Sequence, residues 1–117
     1  MLKMQDNDSG GFYPRIQGDK LDDLTFTERT IKDMEGDRVN IRSTDDTACA
    51  AAVLAQASLL YKSFDPMFAS KCLDSAKKAW EYLIDNPSNI PSPNGPYNVT
   101  NDAADRLWAS ANLFRAS

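Results

Sequence analysis

Apolar residues recur at three- and four-residue steps in three stretches of this chain, and each stretch is predicted to be a helix. The first covers residues 45–62 and opens DDTACAAAVLAQASLLY. Val53, Leu54, Ala57, Leu60 and Tyr61 make one face, while Ala48, Ala51, Ala52 and Ala55 extend across another. Ser43 or Thr44 is the expected N-cap, and Asp45 and Asp46 place negative charge at the positive end of the helix dipole. So little polar surface calls for neighbours on more than one side. The second helix, 65–86, is announced by FDPMF, with Asp65 as N-cap and Pro66 at the first helical position. Phe68, Cys72, Leu73, Ala76, Trp80, Leu83 and Ile84 form its stripe, opposite Lys71, Asp74, Lys77, Lys78 and Glu81. The third, 101–117, carries Ala104, Leu107, Trp108, Ala111 and Phe114 on its stripe.

The pattern weakens between these elements. Residues 1–5, MLKMQ, read as the end of a helix, and both ends of the chain resemble cut helices. Residues 6–44 hold most of the glycines and are expected to be a loop region, with short strands at Gly11–Gln17 and Val39–Arg42. Residues 86–100 contain four prolines and should be an extended, stiffened connection. The expected fold is mainly α, with about three helices and long loops.

Composition then narrows the function classes. At 117 residues the chain is one domain or part of one, with a modest core. A net charge of −4 lacks the surplus of Lys and Arg that phosphate neutralisation needs, which argues against nucleic acid. No stretch approaches the roughly 20 apolar residues of a membrane span, and no apolar signal segment opens the chain. Cys49 and Cys72 fall in apolar helical patterns and are expected to be buried free thiols. The absence of histidine excludes a histidine general base and histidine metal ligation from this chain.

Several acidic groupings invite a chemical reading. In QDNDSGGFYPR, Asp6 and Asp8 sit at the first and third positions of a calcium loop, and Gly11 falls where the sharp turn belongs. Gly10 and Gln17 then occupy positions that need ligands, so a glycine turn closing a helix is the expected role, with no metal site. Asp102 and Asp105 share a helix face at the right spacing to share a proton, yet they open a helix beside Arg106, where acids stabilise the dipole. Glu28, Glu35 and Glu81 lie in polar contexts. Asn7 and Asn98 begin Asn-X-Ser/Thr triplets in loops. Trp80 and Trp108 are expected in the core, whereas Tyr13 and Tyr97, in loops, are freer to meet a ligand. Nothing here assembles a catalytic site.

Three segments taken together resemble one family. MLKMQ with its glycine turn and aromatic is similar to a helix end and loop inside glycoside hydrolase family 9 catalytic domains, the cellulase and endoglucanase group. The run RSTDDTACAAAVLAQASLLYKSFDPMFASKCLDSAKKAWEYLIDNP resembles that family's alanine-rich helix, its Tyr-Lys-x-Phe-Asp-Pro-x-Phe-Ala connection and its Cys-Leu-x-x-Ala-x-x-Ala-Trp helix. DAADRLWASANLFRAS resembles the helix that follows. The resemblance implies part of an (α/α)6 barrel that cleaves β-1,4-glucan with inversion, using two carboxyls roughly 6.5–9.5 Å apart and no redox cofactor.

The family's Asp-Ala-Gly-Asp base motif and its acid glutamate have no counterpart in these residues; Asp102–Asp105 stands in a different place. The expectation is therefore an internal slice of a secreted or periplasmic glucan hydrolase, inactive alone, with no catalytic residue and with Tyr13 and Arg42 as the candidate substrate contacts. The resemblance makes bound calcium plausible in a full domain, without assigning it to residues of this chain. Such a slice should self-associate through exposed apolar helix faces. Two other readings are a non-catalytic helical interaction or glycan-binding module, and a small hydrolase using Asp102 and Asp105.

Overall fold

The computed structural model describes residues 1–17, 37–92 and 99–117. Glu28, Glu35, Tyr97 and Asn98, and the greater part of the proline-rich loop's middle, lie outside them. Three helices dominate: α1 (Thr44–Tyr61), α2 (Pro66–Asp85) and α3 (Ala103–Ala116). Residues 2–4 form one turn of 3-10 helix, and β1 (Ile16–Gln17) pairs antiparallel with β2 (Asp37–Arg38). The strand expected at Val39–Arg42 is not formed. Val39 only extends the β1–β2 ladder, donating its N–H to the Arg15 carbonyl at 2.9 Å. Phe12 makes isolated bridges to Gln5 and Ser43 instead, bringing the loop against the start of α1.

The helix starts follow local chemistry. The Asp65 carboxylate accepts the Phe68 N–H at 3.0 Å and Pro66 sits at the first helical position, as the sequence requires. Ser43 caps α1 differently. Its hydroxyl donates to the Asp46 carboxylate rather than accepting from the backbone. At α3 the N-cap is Asp102, without a side-chain cap bond, and the Asn101 side chain accepts the Ala103 N–H at 2.9 Å.

α1 is the centre of the packing, against α2 on one side and α3 on the other. Ala48, Ala51, Ala52 and Ala55 are fully buried on α1, and they meet Ala76 and Ala79 of α2 and Ala109 of α3 in the same cluster. Small residues at such contacts let helix axes approach toward the lower end of the usual ~8–10 Å spacing. Ala50, Leu54, Cys72, Tyr82, Leu83, Leu113 and Phe12 complete the core.

The large apolar side chains correct the sequence reading. On α3 the stripe expected to be core faces outward: Leu107 is 70% and Phe114 86% exposed, Trp108 is exposed as well, and the buried positions are Ala109, Asn112 and Leu113. On α1 Val53, Leu60 and Tyr61 are exposed; on α2 Ile84 is exposed and Trp80 half-buried. The reason is that α3 can offer α1 only one side, and its small-residue side packs closer than the stripe of bulky ones.

Candidate functional site

The glycine turn forms a closed loop. The Asp6 N–H donates to the Gly11 carbonyl and the Gly10 N–H to the Asp6 carbonyl, each at 2.8 Å. Gly10 adopts φ +84°, and a Cβ there would stand 2.5 Å from the Lys78 carbonyl oxygen of α2. A Cβ on Gly11 would meet Arg42 Cβ at 2.8 Å and the Tyr82 ring at 3.0 Å. The two glycines are thus demanded by close approach to α2 as well as by the turn. Gln5 completes the clamp, donating to the Gly10 carbonyl at 2.9 Å and to the Ser75 carbonyl at 3.0 Å.

The Asp6 carboxylate is engaged by three protein groups. It accepts the Ser9 hydroxyl at 2.7 Å, the Asp8 N–H at 3.2 Å and Arg42 Nε at 3.0 Å. The Ser9 bond foremost, with the Asp8 amide and Arg42 adding to it against an opposing burial effect, holds its pKa below the usual carboxylate value.

Tyr13 and Arg42, 29 positions apart in the chain, are brought together here. The Arg42 guanidinium lies over the Tyr13 ring, 4.8 Å from its centroid, in cation–π contact. Arg42 also donates to Asn40 Oδ1 at 3.0 Å, and its carbonyl accepts the Tyr82 hydroxyl at 2.6 Å. An open, polar groove of about 430 Å³ runs beside this cluster, lined by Leu2, Lys3, Gln5, Asp6, Asn7, Asp8 and Tyr13. The stacking was invisible in sequence, because nothing local links residue 13 to residue 42.

The other acids are separated into distinct roles. Asp102 and Asp105 do not pair with each other. Asp102, buried, lies 3.1 Å from Arg106 Nε in an ion pair that lacks hydrogen-bond alignment. Arg106 donates to the Leu83 carbonyl at 2.7 Å and the Asn86 carbonyl at 2.6 Å, satisfying groups at the α2 C-terminus. Asp105 instead accepts the Cys49 thiol at 3.6 Å. Burial first, then the Asp105 charge, pushes the Cys49 thiol up to about 11. Both cysteines are free; Cys72 is buried and Cys49 half-buried.

Asp45 is a second buried acid, and its burial was not foreseen from the sequence. It is 6% exposed, its Oδ1 has no hydrogen-bond partner, and desolvation followed by the neighbouring Asp46 charge raises its pKa. The only signal was its place on a helix with no wet face. Glu81 and Asn7 are exposed, as their contexts suggested.

The described residues thus form an alanine-rich central helix flanked by two others, with a glycine loop clamped against one of them. The Glycosyl hydrolase family 9 profile matches residues 1–117, and the chain belongs to that family. It is 34% identical over 127 aligned positions to a cellodextrinase of Butyrivibrio fibrisolvens, a match covering all of this chain and 22% of that protein. Endoglucanase D of Acetivibrio thermocellus is 36% identical over 77 residues, 62% of this chain and 12% of that one. Among solved structures, a thermostable endoglucanase from Alicyclobacillus acidocaldarius superposes with a TM-score of 0.75 at 31% identity, over 98% of this chain and 22% of that one. A metagenome-derived family 9 endoglucanase gives 0.73 at 29%, over 99% and 22%. The chain therefore spans 12–22% of the length of these proteins.

Proposed function

We propose that this chain forms one section of the helical barrel of a β-1,4-glucan hydrolase and does not hydrolyse glucan by itself. The observation that carries this is the family 9 match along the whole chain, joined to a superposition on an endoglucanase over 22% of that enzyme's length. The described carboxylates support the second half of the proposal. Asp6 is tied to Arg42, Asp102 to Arg106 and Asp105 to Cys49. All three are thereby engaged by groups of the protein itself. Substrate contact, in this reading, comes from the loop that presents Tyr13, with Arg42 beside it. The outward-facing Leu107, Trp108 and Phe114 are covered by neighbouring barrel helices when those are present, and by a second copy when they are not.

The test compares two preparations. The purified chain should release no reducing sugar from carboxymethylcellulose, while the coding sequence preceding Met1 should carry an Asp-Ala-Gly-Asp motif whose inclusion, with the following frame, restores release. Hydrolysis by the 117-residue chain alone would refute the proposal.

A further inference from the structure

We propose that the 117-residue chain associates head to tail: Leu107, Trp108 and Phe114 on α3 of one copy seat in the groove between the 3-10 turn, α1 and α2 of the next. This deepens the covering by a second copy proposed above, and rests on it, by naming which surface meets which. The α3 surface is a ridge. Its three bulky side chains are exposed, Ala111 is exposed between them, and no charged residue stands from 107 to 114. From Leu107 to Phe114 the helix rises about 10 Å.

The groove matches that ridge in form and length. It is open, about 430 Å³, with walls that include Leu2 of the 3-10 turn, Val53, Ala57 and Tyr61 of α1, and Phe68 and Cys72 of α2. From Val53 to Tyr61 the helix rises about 12 Å, so a two-turn ridge fits along it. Tyr61 is held in place at one end, its ring centroid 4.9 Å from those of both Phe64 and Phe68. Lys3 is the one charged residue among the described lining, and its stem can lie along apolar surface while the ammonium stays in water. Seating an uncharged ridge there strips few polar groups of water.

The placement of the two surfaces sets the mode of association. No α3 residue lines the groove among the described residues, and α3 packs on the side of α1 away from α2, so ridge and groove share no residue. One copy therefore offers both at once, which makes the contact heterologous. Ridge against ridge would be isologous and would leave the groove open to water. A second copy suits these edges because helical pairs follow one another around an (α/α)6 barrel, each section meeting another of its kind. The superposition on the Alicyclobacillus endoglucanase covers 98% of this chain and 22% of that one, so those neighbouring sections lie outside these residues. The three ridge side chains offer on the order of 400 Å², about half of the ~800 Å² per partner in a standard interface. Each contact is thus weak, and the assembly grows with concentration.

The experiment is sedimentation velocity of the 117-residue chain over a concentration series, with two double variants. The wild type should pass beyond dimer as concentration rises. Leu107→Glu with Phe114→Glu charges the ridge, and Val53→Glu with Tyr61→Glu charges the groove. Each alone should weaken self-association by about tenfold or more with helicity unchanged. Mixed in equal amounts, the two should form a dimer and nothing larger, because one keeps its groove and the other its ridge. The single substitutions Phe114→Glu and Ala57→Gln stand in for a double variant that loses helicity. A wild type that stops at dimer, a groove variant that associates like wild type, or a mixture that stays monomeric would each overturn the head-to-tail mode while leaving covering by a second copy in place. A wild type that is monomeric at every concentration would overturn both, and the barrel assignment is decided separately by hydrolysis with the flanking frame.

Discussion

Gly10 and Asp45 show how much single residues decide in this chain. Gly10 holds a positive φ with α2 backbone where a Cβ would go, so Gly10→Ala combines a conformational penalty with a clash against a carbonyl that cannot swing aside. We expect a loss of about 2 kcal/mol or more, read as a lowered urea midpoint at unchanged slope. Asp45 is a charge without a full set of partners. Its folded-state pKa is raised, so the folded chain holds a proton that the unfolded chain has already lost as pH rises past the ordinary 3.8. Stability therefore falls as pH rises from 3.8 through the raised folded-state value. Asp45→Asn should raise the melting temperature at pH 7, with the gain shrinking toward pH 3; a constant difference across that range would contradict the assignment. Asp6 behaves oppositely, since its lowered pKa makes its contribution present above 3.8 and lost on acidification.

Among the elements, α2 depends on a residue of α3. Arg106 bonds the carbonyls of Leu83 and Asn86 at the α2 C-terminus and neutralises the buried Asp102. Removing it leaves one buried carboxylate unpaired and two helix-end carbonyls unmet. Arg106→Ala should cost about 3–5 kcal/mol, whereas Asp65→Ala, which removes only an exposed cap bond, should cost about 1 kcal/mol. Urea titration of both variants checks the ranking. The sequence showed the Asp65 cap plainly, because cap, proline and amphipathic run are contiguous. It showed Asp102 and Arg106 as i, i+4 neighbours, but not the reach of Arg106 to residues 20 and 23 positions earlier.

At the scale of the molecule, the described residues leave much apolar volume outside: the core is more than half alanine, while Leu60, Phe64, Met67, Ile84, Leu107 and Phe114 stand at 62–86% exposure. Apolar patches of that kind mark surfaces built to be covered. The isolated chain should therefore self-associate, giving a concentration-dependent mass by light scattering, and Leu107→Glu with Phe114→Glu should shift it toward monomer without lowering helicity. A compact monomer at all concentrations would contradict the covered-face reading. Three helices, their near-residue boundaries and the family were legible in the sequence, because caps, prolines and periodicity are local properties of the chain. Which face of α3 is buried, which acid is desolvated, and that Tyr13 meets Arg42 were decided only by tertiary structure. Periodicity records that a face is apolar; whether that face meets a neighbour depends on where distant segments pack.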